Sequence, residues 1–316
     1  MTISDVGTES RAARLAAAQG AFRDELVDAS LLVRSSVDGI YGRSGQFEDI
    51  IDGIERMVTK AGVDQNADRF RFPAVFPRAI FEHTDYIASF PNLTGAIFSF
   101  SGDDKAHARL LASRSAGEDW SGALSPTDLM MISAACHPVY PQLAGTLPEG
   151  GRRVDVLAQC FRHEPSVDPA RMQTFRQREY VYVGEPDNAR AHRELWIQRG
   201  MSVLTDLQLA AEPVIANDPF FGRAGRMLAV NQRTENLKTE LVVRLYGDLN
   251  DGTACVSCNC HLEHFGSPFG ITTADGEVAH SACVGFGLER ITLALLRTHG
   301  LDVSTWPAEV REKLWP

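Results

Sequence analysis

Phe161-Arg162-His163-Glu164, a short loop, and then Arg171-Met172-Gln173-Thr174-Phe175 and Glu179 bring two guanidiniums, an aromatic ring and two carboxylates into one stretch of chain. On a hairpin, Arg162 and Glu164 lie two apart and share a face, while Phe175 and Glu179 share a face of the return strand. Arg171 stands across the hairpin. Alone, such side chains make an ordinary solvated hairpin with ion pairs. Together they suit a nucleoside triphosphate. One planar guanidinium holds the α-phosphate as a carboxylate attacks phosphorus, and a second holds the γ-phosphate. The ring stacks on adenine, and a Glu or the backbone fixes its amino group. Further on, Gly285-Phe286-Gly287-Leu288-Glu289-Arg290 offers another arginine at a strand-to-helix turn, a weak signal by itself.

Metal-ligating types are present too. The cysteines are Cys136, Cys160, Cys255, Cys258, Cys260 and Cys283, and in a reducing compartment most read as buried thiols. Cys258, Cys260, His261 and His264 form the densest cluster of ligand types, with core thiols and hydrogen-bonded imidazoles as the alternative. Any other metal site must be assembled from residues far apart in the chain.

In order and spacing, FRHE, loop, RMQTF resembles motif 2 of class II aminoacyl-tRNA synthetases (FRxE, loop, R/HxxxF). GFGLER resembles their motif 3, GxGxxR. Motif 1, a helix and a strand ending in proline, can be fitted to residues 46–77, ending at Pro77. Within the class the chain is similar to the seryl-tRNA synthetase subgroup. TACVSCNC (253–260) takes the place of its ATP-site strand, roughly E-I-S-S-x-S-N-C, with Thr253 where the usual acid stands. The resemblance implies an α/β (α+β) class II catalytic fold, an antiparallel sheet flanked by helices, and a homodimer. It implies an ATP site of Arg162, Glu164, Arg171, Met172, Phe175, Ala254, Cys255, Val256, Ser257 and Arg290, with Arg162 and Arg290 as the catalytic pair and Mg²⁺ accompanying ATP. Methanogen-type seryl enzymes hold a zinc by Cys, Glu and Cys, and this zinc binds the substrate amino group. By motif position Cys136, Glu179 and Cys283 match that set, so Glu179 also serves the substrate amino acid, and Zn²⁺ is expected.

One departure shapes the expected activity. Seryl-tRNA synthetases carry an additional N-terminal tRNA-binding domain, whereas this chain reaches its motif 1 candidate within its first fifty residues. It therefore looks like the truncated homologues known as amino acid:[carrier protein] ligases. The likeness extends over AACHPVYP (134–141), FRHEP (161–165), DPFFGR (218–223), the HLEHFG stretch (261–266) and the WPAEVR ending (306–311). It implies activation of glycine or alanine as the adenylate and transfer to the phosphopantetheine thiol of a small acidic carrier protein, with no tRNA partner. The alternatives are a tRNA-directed synthetase-like enzyme and a non-catalytic paralogue acting as a binding module. Intact Arg162, Glu164, Arg171, Phe175 and Arg290 speak against the last.

These residues need a frame, and apolar periodicity supplies one. Helices are expected over 11–33, 46–60, 78–88, from Asp103, from Ser125-Pro126, over 186–209 and over 288–297. Strands are expected over 69–76, where Pro73 suggests an edge, and over 95–100, 153–162, 173–183, 239–246, 254–260 and 284–286. One domain, 1–316, is the economical reading, with 185–240 as an idiosyncratic helical segment. Its helix carries Arg190, His192, Arg193 and Arg199, a local basic surface for an acidic carrier, with Arg223, Arg226 and Arg233 next in line.

Composition narrows the class. The chain of 316 residues is 44% hydrophobic and 23% charged, as in ordinary globular proteins. No apolar run is long enough to span a bilayer, and the N-terminus lacks the features of a signal peptide, so a cytoplasmic protein without membrane contact is expected. With 31 basic against 41 acidic residues the net charge is −10, which disfavours clamping nucleic acid over a broad surface.

Overall fold

The structure, a computed structural model, describes residues 10–218 and 236–316. After α1 (Arg11–Asp28), a small hairpin of β1 (Leu32–Arg34) and β2 (Tyr41–Arg43) leads into α2 (Gly45–Ala61). Then come β3 (Asp68–Phe72), β4 (Val75–Pro77), α3 (Arg78–His83), α4 (Tyr86–Ser89), β5 (Ala96–Ser99), α5 (Asp104–Ser115) and β6 (Ser125–Met131). β7 (Gly145–Thr146) precedes the long strands β8 (Arg152–Phe161) and β9 (Thr174–Gly184), followed by α6 (Pro186–Asp206), β10 (Ala211–Ile215) and β11 (Lys238–Val243). The chain continues through β12 (Thr253–Leu262), α7 (Gly266–Phe269), β13 (Ile271–Thr272), β14 (His280–Gly287), α8 (Leu288–His299) and α9 (Ala308–Leu314).

The centre is a seven-stranded sheet in the order β10-β11-β12-β14-β9-β8-β3. Every pair is antiparallel except the edge pair β3–β8. The period of two along β9 separates two environments. Arg176, Arg178 and Tyr180 turn to the helical side, where Arg178 forks onto Asp155 at 3.0 and 2.7 Å and Tyr180 stacks on Trp196. Phe175, Gln177 and Glu179 turn to the opposite side and line a cavity. On the helical side α2 places Phe47, Ile50, Ile51, Ile54, Met57 and Val58 on one stripe, and its start is capped by the Ser44 hydroxyl, which accepts from Phe47 N at 3.2 Å. α8 buries Leu288, Ile291, Leu293, Leu295 and Leu296 almost completely. Each such side chain is worth roughly 1.5–3 kcal/mol of transfer free energy. This burial holds the amino end of α8, and with it Arg290, against the sheet.

Several local expectations are corrected. The helix expected over 11–33 ends at Asp28, because Ser30 turns the chain at φ 56° and Leu32–Arg34 pairs as a strand. The helix expected over 78–88 breaks at Asp85, which sits at φ 55°. Ser125-Pro126 opens a strand rather than a helix. β6 lies between β4 and β5, and the Thr127 hydroxyl donates to Ile97 O at 2.9 Å, so cross-strand pairing overrides the capping signal. Arg162 and Glu164 are not alternate strand residues. β8 stops at Phe161, and Glu164 N donates to Arg162 O at 2.8 Å in a tight turn.

The basic face expected on α6 does not form. Arg193 is 5% exposed and donates to Thr239 Oγ1 at 2.6 Å and to Asn236 Oδ1 at 3.2 Å. His192 is buried against the Tyr180 carbonyl, and Arg199 forks onto Asp64. Arg190 alone of the four is exposed. The helix packs on the sheet, and its apolar stripe carries positions 192 and 193 with it. Arg223, Arg226 and Arg233 lie outside the described residues. Among the described residues no helix is long and apolar enough to cross a membrane.

Candidate active site

The cavity on the open face of the sheet has a volume of about 570 Å³. One end is built from the loop joining β8 to β9 and from the start of α8. Arg162 directs Nε to the Ser133 carbonyl at 3.2 Å and lays its guanidinium over the Phe175 ring, 5.3 Å from the centroid. Arg290 donates through Nε to Ala170 O at 2.9 Å and through Nη1 to Ala254 O at 3.1 Å. Burial, then the charges of Arg162 and Arg171, hold Arg290 below the usual guanidinium range. A guanidinium stays protonated near neutral pH regardless, so Arg162 and Arg290 place two cations at this end, with Glu164 and Glu289 also in the lining. Met172, Ala254, Cys255, Val256 and Ser257 line the same cavity, as does Glu164. Arg171 does not: its side chain is 56% exposed, and it pairs with Glu164 at 3.2 Å.

Gly285 and Gly287 form part of the floor. A Cβ at Gly285 would stand 2.7 Å from Gln177 Nε2, so a side chain there displaces the cavity wall. Gln177 itself was legible in the alternation between Phe175 and Glu179, and sequence reasoning passed over it. The same holds for Asn259 and for His137, which follows Cys136 directly. Lys238, ion-paired with Asp218 and Glu240, completes the far wall.

At the other end Cys136, Glu179 and Cys283 meet. One ligand atom from each lies within 4.8 Å of the other two, and all three residues are buried; no other such group occurs among the described residues. Cys136 comes from the loop after β6, Glu179 from β9 and Cys283 from the neighbouring β14, where Cys283 pairs with Val181 and Gly285 with Glu179. Glu179 Oε1 accepts from Ala135 N at 3.1 Å, while Oε2 is buried with no hydrogen-bond partner. Burial pushes the Glu179 carboxyl up against the pull of its contacts with Cys136 and Cys283. Cys136 is pushed well above the usual thiol range by its hydrogen bond with the free thiol of Cys283, by burial and by Glu179. Cys283 is lowered by that hydrogen bond, but burial and Glu179 leave it raised. Two thiols and a carboxyl, one oxygen of it without a partner, are crowded here in a group of metal-ligating types.

The cluster Cys258, Cys260, His261 and His264 does not assemble. Cys258, which stands in CxxC spacing with Cys255, belongs with it to the core beneath the sheet. His261 instead brings Nε2 to 3.3 Å from Cys283 Sγ, and burial and then the nearby His264 lower its pKa to about 3. His264 packs edge-on against Phe265.

The geometry has parallels among known proteins. No family model matches the chain. Two amino acid--[acyl-carrier-protein] ligases of Bradyrhizobium diazoefficiens are each 43% identical over 293 residues, covering 92% of this chain and 89% and 87% of their own length. The type-2 serine--tRNA ligase of Methanopyrus kandleri is 26% identical over 198 residues, 58% of this chain and 37% of that protein. Among solved structures, the M. kandleri seryl-tRNA synthetase in complex with A. aeolicus tRNASec superposes with a TM-score of 0.79 at 19% identity, over 93% of this chain and 60% of that chain. The fold is therefore that of the class II synthetases, as the motif order implied.

Proposed function

With 43% identity to the Bradyrhizobium enzymes over nearly its whole length, the chain belongs to the amino acid--[acyl-carrier-protein] ligase family, and from this premise we propose that it activates glycine or alanine with ATP and passes the aminoacyl group to the phosphopantetheine thiol of a small acidic carrier protein. One observation carries the reading. A single cavity joins the Arg162–Phe175–Arg290 end to the buried Cys136–Glu179–Cys283 trio, so a nucleotide and an amine fit side by side.

In this reading Phe175 and Met172 hold adenine, and backbone along 254–257 flanks the nucleotide. Arg162 and Arg290 bracket the phosphates, and Arg171 would leave Glu164 to reach the γ-phosphate. Mg²⁺ accompanies ATP. Cys136, Glu179 and Cys283 would hold zinc, which when bound supplies a grip on the neutral amine of the amino acid. The carboxylate oxygen forms a bond to the α-phosphorus as pyrophosphate leaves, with Arg162 meeting the charge that develops there. The carrier thiol then gives up its proton, its sulfur bonds to the carbonyl carbon, and AMP departs. The reading includes a homodimer and a single catalytic domain.

ATP–pyrophosphate exchange measured over all amino acids tests the first step, with glycine or alanine expected to lead and serine weak. Discrimination against a larger side chain is steric, whereas one missing methylene is worth only about 1–3 kcal/mol. Acceptor assays with holo-carrier, carrier lacking the arm, and tRNA test the second. Preferred activation of a bulky amino acid, or transfer to tRNA, overturns the reading.

A further inference from the structure

Four charged side chains from four separate elements close into one ring beneath the nucleotide end of the cavity. Arg176 on β9 places Nη1 and Nη2 on the two carboxylate oxygens of Glu48 at 2.5 and 3.0 Å. Its Nε donates to Glu289 Oε1 at 3.0 Å, and its backbone N–H to Glu289 Oε2 at 2.8 Å. Arg43 closes the ring, with Nε on Glu48 Oε1 at 2.8 Å and Nη1 on Glu289 Oε1 at 3.3 Å. Two guanidiniums and two carboxylates cancel, so the ring places no net charge inside. Glu289, 3% exposed at the side chain, is its innermost member.

The ring's neighbours in sequence give it meaning. Phe175 precedes Arg176 and Arg290 follows Glu289. On a strand, adjacent side chains point to opposite faces, so the grip on Arg176 from below sets the Phe175 ring above. The last pair of the β9–β14 ladder is Gln177 with Gly287. One residue beyond it on β9, the Arg176 N–H donates to Glu289, two residues beyond Gly287, so the helix start is tied to β9 where the β9–β14 ladder stops. Glu48 adds the first turn of α2, and Arg43 the end of β2.

We propose that the Arg43–Glu48–Arg176–Glu289 ring is a positioning device for the nucleotide, setting the separation and angle of Phe175 and Arg290. The proposal rests on the ATP reading given above. A displacement of an ångström in such a pair is costly, because pre-arranged groups lose their advantage once they can move. Glu289 also lines the cavity, whereas Arg43, Glu48 and Arg176 do not and act through Phe175 and Arg290.

The experiment is pyrophosphate exchange in the full-length protein, with ATP varied at saturating amino acid and the reverse. Glu48→Gln and Arg43→Met are expected to raise the KM for ATP by about tenfold or more, leaving the KM for the amino acid and bound zinc near wild type. Arg176→Lys keeps the charge but loses the fork, and should fall between wild type and Arg176→Met. If Arg176→Met does not fold, Glu48→Gln in the first turn of α2 carries the test. An unchanged KM for ATP in folded Glu48→Gln and Arg43→Met, with only a lower Tm, overturns the ring proposal and leaves the ATP reading standing. Absence of exchange in the wild type removes both.

Discussion

The guanidinium of Arg162 covers the ring of Phe175 at 5.3 Å, so the residue proposed to meet the α-phosphate rests on the plate proposed to hold adenine. Nucleotide binding must exchange this cation–π contact for stacking and an ion pair. Phe175→Ala is therefore expected to raise the KM for ATP roughly tenfold, the size of one aromatic contact. Arg162→Ala and Arg290→Ala should each cut pyrophosphate exchange on the order of 10²-fold or more, with bound zinc unchanged. Near-normal exchange in either arginine variant refutes the assignment.

The trio Cys136, Glu179 and Cys283 predicts about one zinc per chain in purified protein, as a three-ligand site requires. Cys136→Ala, Glu179→Ala or Cys283→Ala should each lower the metal content measured by elemental analysis. Cys258→Ala should not, since that thiol lies in the core beneath the sheet. Full zinc in Cys283→Ala together with loss in Cys258→Ala would reverse the choice of ligands.

Arg190 and Arg193 should behave differently although they share one helix. Arg193→Ala strands the buried Thr239 hydroxyl and is expected to lower stability by about 1–3 kcal/mol. Arg190→Glu, on the exposed face, should leave the unfolding midpoint unchanged. Denaturant titration of the two variants checks this. Equal losses would mean that the burial difference has no energetic content.

His192 makes stability depend on acidity. Burial depresses its imidazole from 6.5 to about 4, with Nε2 donating to Tyr180 O at 3.1 Å and Nδ1 buried without a partner. The unfolded chain takes up this proton near 6.5 and the folded one only near 4. The stabilisation is complete above 6.5 and is lost as the pH falls towards 4, amounting to at most about 3 kcal/mol. His137 and His261 are lowered as well and remain in both proteins, so the comparison of wild type with His192→Gln isolates this group. Urea unfolding between pH 7 and 4.5 should show a shallower decline in the variant. Parallel curves would exclude His192.

By itself the sequence determined what depends on short-range order: the β8–β9 hairpin and the alternation that turns Phe175 and Glu179 to one side. It also determined the turn at Gly287 that presents Arg290 and the amphipathic stripe of α2. Motif order then made the class II fold legible, and with it the trio Cys136, Glu179 and Cys283, whose members lie far apart in the chain. Tertiary structure decided what local signals could not. Ser125-Pro126 carries a capping pattern, yet pairing with β4 and β5 makes it a strand, because ladder bonds on both sides outweigh a single cap. Arg193 has the composition of a surface helix, yet packing of α6 on the sheet buries it. The ring of Arg43, Glu48, Arg176 and Glu289 has no sequence signature. Its members come from four elements, and only the fold brings charges so distant along the chain close enough for attraction to outweigh the cost of ordering them.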